Sequence, residues 1–287
     1  MTYKILRIGN YPTHLQNTVG YHAYRLGQEE LFETLHISPK LRGEPLKRFP
    51  NVALKRYPFC TTPRPREGSI LRRVLFHIMR VSLILYFTLC SCVELLRFRP
   101  QIVHIHSPMY LLVGLFGKLY GAKLYITFHG EEFFRIRNSR AYLLAGKAIS
   151  GVFTLAPDTI EDLQAIHQCR VVVAYNGVDN GFYKNMKKPR EKVLLMVGSF
   201  KRVKSHHEML EAFSMFVEKY EDYHLHLVGD GPLRSELETL VKKLCIEDKV
   251  VFLGYKNAKA LVDIYNRAEV FVLPSKREGF PKVILEA

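Results

Sequence analysis

The chain has 287 residues, 48% of them hydrophobic, which is enough for two domains that each bury a core and excludes a disordered protein. Its formal net charge of +15 is uneven: residues 1–183 carry 23 Lys and Arg against 12 Asp and Glu, and residues 184–287 carry 19 against 15. A basic first half favours anionic partners. With no RNP-type aromatic motif and no zinc-finger spacing, nucleic acid is set aside and an anionic membrane surface is the expected partner.

The first residues, Met1 to Ile8, read as a strand containing Lys4 and Arg7. They lack an apolar run with a small-residue cleavage site, so no secretory leader is expected. Cys60, Cys90, Cys92, Cys169 and Cys245 are odd in number and have neither metal-type nor disulfide-type spacing. They read as free thiols of a reducing cytosol, which makes the expected location cytoplasmic, peripheral at the inner face of the cell membrane.

Along the first half, strands are expected at Lys4–Ile8, Ile102–His106, Lys123–Phe128, Gly151–Leu155 and Val171–Ala174, with helices near 15–30, 70–97, 109–120, 139–149 and 157–167. Arg64, Arg66, Arg72, Arg73 and Arg80 precede an almost wholly apolar run, Val81–Val93. That run reads as a buried helix of an α/β domain, or as one that also turns its basic end to phospholipid headgroups. It is short of the ~20 apolar residues of a membrane span.

A polar stretch at 184–192 then separates two alternating patterns, so domains are expected at 1–183 and 193–287. In the second half the strands are Val193–Val197, His224–Val228, Val250–Leu253 and Val270–Leu273, with helices near 204–220, 232–244 and 257–267. Such alternation predicts α/β domains, two doubly wound parallel sheets whose ligands bind beyond the carboxyl ends of the strands.

Three places carry the chemistry, and two turns accompany them. After the last strand comes Ser275-Lys276-Arg277-Glu278-Gly279-Phe280-Pro281, with Glu286 eight residues beyond Glu278. Pro281 suits the first position of a helix, Gly279 permits close backbone approach, and a helix start faces anions favourably. The two carboxylates suit the hydroxyls of a ligand. Gly198-Ser199-Phe200-Lys201-Arg202-Val203-Lys204 follows the first strand of the second half and brings cations. His104, His106 and Thr127-Phe128-His129-Gly130 sit at strand ends in the first half; His104 and His106 read as structural, His129 as ligand-facing. Turns occur at Asn176-Gly177-Val178-Asp179 and Gly229-Asp230-Gly231-Pro232.

In this order, these elements resemble the family-4-type retaining glycosyltransferases (group 1), whose GT-B fold sets two Rossmann-like domains across a cleft. The resemblance implies a nucleotide-sugar donor, with Glu278 toward its sugar, Glu286 toward its ribose and Gly279, Phe280 and Pro281 at the helix start. It gives Lys204 the donor phosphates. Ser199 stands where an Arg is common, leaving Arg202 as the nearest second cation. His129 would reach the sugar, Gly20 would lie near the acceptor and phosphates, and Gly254 and Tyr255 would border the base. No D-x-D motif is present in the sequence, so no metal and no other cofactor is expected.

The implied reaction is retaining transfer of a sugar to a hydroxyl of a polysaccharide or lipid-linked acceptor. A sugar-nucleotide epimerase of the same layout and a non-catalytic binding or assembly protein remain as alternatives. The sequence stops at Ala287, soon after the Glu278 signature. The resemblance therefore implies a C-terminally truncated second domain with weak activity or none.

Overall fold

The structure, a computed structural model, describes residues 2–10, 31–40, 50–59, 70–129, 132–175, 177–178, 180–278 and 280–287. Gly20, Gly279 and the helix expected near 15–30 lie outside the described residues. The chain divides into two compact units, Met1–Tyr175 and Asn176–Ala287.

The first unit is built on seven strands: β1 (Tyr3–Ile8), β2 (Phe32–Pro39), β3 (Val52–Tyr57), β4 (Ile102–Ile105), β5 (Lys123–Phe128), β6 (Gly151–Thr154) and β7 (Arg170–Val173). All pair in parallel, in the order β3-β2-β1-β4-β5-β6-β7. Leu6, Ile8, Val103, Ile105, Leu124 and Ile126 are fully buried along the central strands, as a sheet covered on both faces requires. Two strands, β2 and β3, were not anticipated from the sequence.

Helix α1 (Ile70–Phe98) corrects the buried-helix reading of the basic, apolar stretch. Only Phe87, Ser91, Glu94 and Leu95 are buried, and Ile70 to Tyr86 contains no buried residue. Those four share one helix face, which meets the core. The Phe87 ring lies 5.1 Å from Phe59 and 5.5 Å from Tyr110, and Tyr57 Oη donates to Glu94 Oε1 at 2.8 Å. The remaining helices of the unit are α2 (Leu111–Leu119), α3 (Glu132–Ile136), α4 (Arg140–Gly146) and α5 (Ile160–Ile166).

The second unit contains β8 (Glu191–Val197), β9 (His224–Val228), β10 (Val250–Gly254) and β11 (Ala268–Phe271), parallel in the order β10-β9-β8-β11. Successive side chains of a strand point to opposite faces. Accordingly, Leu194 and Met196 of β8 pack with α6 (His206–Lys219) and α7 (Arg234–Lys243), while Val193, Leu195 and Val197 pack with α8 (Ala258–Arg267). A short helix, α9 (Lys282–Glu286), follows β11 after a loop.

The 184–192 stretch belongs to this unit rather than forming a free spacer. Met186 N donates to Asn266 Oδ1 at 2.5 Å, Asn266 Nδ2 donates to the Lys184 carbonyl, Lys188 pairs with Asp263, and Glu191 already opens β8.

Candidate functional site

The strand order of the second unit locates its crevice. From β8 the chain runs outward through β9 to β10, then returns to β11 on the other side of β8. Loops leaving β8 and β11 therefore diverge, and such a switch point is where doubly wound sheets bind ligands. Lys204 lies in a 3₁₀ turn, Arg202–Lys204, after β8; Glu278 lies in the loop after β11.

The structure brings these two together. Lys204 Nζ lies 2.5 Å from Glu278 Oε1, with both side chains 21% exposed. The loops carrying them are also joined by Lys276 N donating to the Val203 carbonyl at 2.9 Å, and Lys276 Nζ pairs with Glu208 of α6 at 2.6 Å. Arg202 is exposed and Ser199 half-buried on the same turn region.

Below this pair the ends of β8, β9 and β10 are stacked through their backbones. Gly198 N donates to the Val228 carbonyl, Phe200 N to the Asp230 carbonyl and Gly229 N to the Gly254 carbonyl. A Cβ at Gly229, whose φ is +139°, would lie 2.0 Å from the Gly198 oxygen, and one at Gly231 would lie 2.6 Å from the Phe200 oxygen. The Gly-x-Gly turn thus serves close packing against the Lys204 loop. Phe200 is fully buried at the centre of this stack, with its ring 4.8 Å from His206 and 6.0 Å from Phe252.

Glu286 lies in α9, where Tyr265 Oη donates to its Oε2 at 3.3 Å and Lys282 Nζ stands 3.9 Å from its Oε1. Burial lifts the Glu286 carboxyl above the usual carboxylate range, against the pull of Lys282 and Tyr265. Burial likewise lowers the Lys282 ammonium, against the pull of Glu286. Pro281 precedes the helix instead of opening it: its ψ of 87° is not helical, and α9 begins at Lys282. Phe280 is half-buried, Gly254 is left-handed with φ +68°, and Tyr255 is 69% exposed.

In the first unit, the ends of β4 and β5 carry a histidine group. His104 Nε2 hydrogen-bonds Thr127 Oγ1 at 2.7 Å, and His106 Nδ1 hydrogen-bonds His129 Nε2 at 3.3 Å. His104 and His106 are buried and His129 is half-buried. Burial, then the neighbouring His104, His129, His36 and Arg7, hold His106 well below the ordinary imidazole range. His106 is therefore neutral at pH 7.

Two features escaped the sequence reading. Arg234, two residues beyond the Gly229–Pro232 turn, stacks 4.5 Å from the Phe252 ring and 5.9 Å from the Phe200 ring. Its place after that turn was the available signal. His206 opens α6 and is 1% exposed, with neither ring nitrogen hydrogen-bonded.

Residues 37–182 match the family described as Glycosyltransferase Family 4, and residues 179–287 match that described as Glycosyl transferases group 1. Sucrose-phosphate synthase from Thermosynechococcus elongatus superimposes with a TM-score of 0.70 at 18% identity, covering 99% of this chain and 78% of that one. The Anabaena protein HepE in complex with UDP and glucose gives 0.66 at 16% identity, with coverage of 99% and 78%.

At these identities the likeness establishes the fold, which is of the GT-B class. The chain belongs to glycosyltransferase family 4. Among curated relatives, the N-acetyl-alpha-D-glucosaminyl L-malate synthase of Bacillus anthracis is 38% identical over 97 residues, covering 34% of this chain. The match spans 25% of that relative's length.

Proposed function

We propose that this protein transfers a sugar from a nucleotide diphosphate to a hydroxyl of a polysaccharide or lipid-linked acceptor, with retention of anomeric configuration. The observation that carries the reading is the Lys204–Glu278 pair, held at the switch point of the second sheet. A cation and a carboxylate side by side suit a ligand with a diphosphate at one end and hydroxyls at the next. Lys204 would meet the phosphates, assisted by Arg202 and Ser199, and Glu278 would accept from a sugar hydroxyl. Glu286, with Tyr265 on its other oxygen, would accept from the ribose.

In this reading the bond between the sugar C1 and the diphosphate oxygen breaks, and a bond from C1 to the acceptor oxygen forms on the same face. The acceptor proton passes to the departing phosphate oxygen, so no side-chain base is required. Positive charge on Lys204 and Arg202 stabilises the leaving group, and a divalent metal is not called for. The family resemblance assigns His129 to the donor sugar.

HepE is a UDP complex, so UDP-sugars are the first donors to examine. Thermal unfolding with UDP-, GDP- and ADP-sugars tests the reading, because a bound donor must raise apparent stability. Release of nucleoside diphosphate with a glycan acceptor completes the test. If no donor stabilises the native chain, or if one stabilises Lys204→Ala equally, the reading fails.

A further inference from the structure

We propose that Tyr265 is a positioning residue for nucleotide recognition: its hydroxyl holds the Glu286 carboxylate in the orientation from which that carboxylate accepts from a donor ribose. The inference rests on the role given to Glu286 above and deepens it.

The tyrosine is fixed by its ring. It stands on α8, is 7% exposed, and belongs to the apolar cluster that covers one face of the second sheet with Val193, Leu195, Val197 and Leu261. Its ring lies 5.7 Å from Phe271 and 6.5 Å from Tyr183, edge-on to both. The hydroxyl is the one polar atom of this side chain, and it donates to Glu286 Oε2 at 3.3 Å. Burial, then the nearby Glu286 and Tyr183, hold the phenol above its ordinary range, so it keeps its proton and stays a donor.

The helix under the glutamate is a weaker support. Helix α9 has five residues and no side-chain cap at its start, and a helix so short depends on what it packs against. Val283 packs on the same cluster as Tyr265, which brings α9 against α8. Lys282 Nζ is 3.9 Å from Glu286 Oε1, near enough to offset the charge and too far for a hydrogen bond. An ammonium acts as a point charge and sets no angle, whereas a hydroxyl donor does. An ionised carboxylate has about four accepting sites. Tyr265 takes one of them on Oε2, and the neighbouring hydroxyls of a ribose suit others.

The bond also bears on charge. Burial raises the Glu286 carboxyl, and Lys282 and then the Tyr265 hydroxyl oppose that rise. The titratable groups that face it are Lys282 from α9, Tyr265 from α8 and Tyr183 from the segment before β8. Loss of the hydroxyl therefore moves the carboxyl further up and brings its protonation nearer to neutral pH. At 3.3 Å the bond is longer than the ~2.8 Å usual for a hydroxyl donor, so its removal should cost little stability.

The test is a double-mutant cycle read by calorimetry, with UDP, GDP and ADP and the 2′,3′-dideoxy form of each. The native chain should prefer the ribose form of its nucleotide by about tenfold or more, the worth of hydrogen bonds to a charged group. Tyr265→Phe keeps the ring and should leave the denaturation midpoint and the dideoxy affinity in place. Its ribose preference should fall about fivefold, the worth of one ordinary hydrogen bond, and should fade at a higher pH on acidification. In Glu286→Gln the preference is already lost, and adding Tyr265→Phe should change nothing further. A native chain that binds ribose and dideoxy forms equally overturns the role of Glu286, and the inference with it. A native preference that Tyr265→Phe leaves intact overturns the inference alone. So does a Tyr265→Phe chain that loses stability and both affinities together, since the hydroxyl is then structural.

Discussion

Lys204 and Glu278 meet at 2.5 Å although 74 positions separate them in the chain. Each neutralises the other; on the proposed reading, a nucleotide diphosphate would compete with Glu278 for the ammonium. Lys204→Ala should weaken UDP binding by about tenfold or more, the loss of a hydrogen bond to a charged group. Glu278→Gln removes the competitor and leaves the cation, so UDP should bind as well or better. Turnover by that variant should fall about 10²–10³-fold, since a contact to the reacting sugar is lost. Calorimetry with UDP beside steady-state kinetics separates the two. Equal weakening of UDP binding by both variants would contradict the division of roles.

The turn at Gly229 offers a test of the layered loops. Gly229→Ala sets its new carbon 2.0 Å from the Gly198 oxygen at a φ of +139°. The expected loss of stability is on the order of 3 kcal/mol or more, because backbone must move. Gly254 is left-handed with φ +68° and has nothing within 4 Å of its Cβ direction. Asparagine tolerates that conformation, so Gly254→Asn should change stability by less than ~1 kcal/mol. Chemical denaturation of both variants decides the matter, and similar midpoints would mean the stack is not as tight as drawn.

The sequence made the second unit more legible than the first, for a physical reason. The limits of β5 and β9 are those expected, because buried apolar residues recur at every second position, Leu124, Ile126 and Phe128 in one and Leu225 and Leu227 in the other. Strand β2 hid because Thr34, His36 and Ser38 are buried along it, at 1%, 1% and 0% exposure. His36 Nε2 is held by the Gly9 carbonyl at 3.0 Å and Ser38 Oγ donates to the Pro39 carbonyl at 2.9 Å. Polar residues buried inside a core erase the periodicity that reveals a strand. Helix α1 misled in the opposite sense: its apolar run promised burial, yet only Phe87, Ser91, Glu94 and Leu95 are buried. Lys204 and Glu278 were each readable, but their pairing depends on strand order, which composition does not encode.

Ser205 stands where the backbone turns left-handed, at φ 59° and ψ 38°, just before α6. Its Oγ is buried without a hydrogen bond. A left-handed residue with a Cβ costs roughly 1–2 kcal/mol, and glycine gives back roughly 0.5–1 kcal/mol of that through its freedom when unfolded. Ser205→Gly should therefore stabilise the protein by about 1 kcal/mol once the unpartnered hydroxyl is also removed. Ser205→Ala keeps the strain and removes only the hydroxyl, so its gain should be smaller. Thermal unfolding of the pair checks the order, and an alanine variant equal to the glycine variant would argue against strain.

His206 links the stability of the second unit to pH. Burial, then the neighbouring His207 and Lys204, depress its pKa from 6.5 to about 4. The folded state thus binds the proton more weakly than the unfolded chain, and stability that is complete above pH 6.5 declines as pH falls toward 4. The full linkage is on the order of 3 kcal/mol. His206→Leu removes both the titration and two buried nitrogens without partners. It should gain about 1–2 kcal/mol at pH 7 and show a shallower loss between pH 7 and 4.5. The slope should not vanish, because His36 in the first unit is also held at about 4 by burial. Denaturant midpoints across that range give the comparison. A variant less stable than the native chain at pH 7 would mean that the imidazole has a partner the geometry does not reveal.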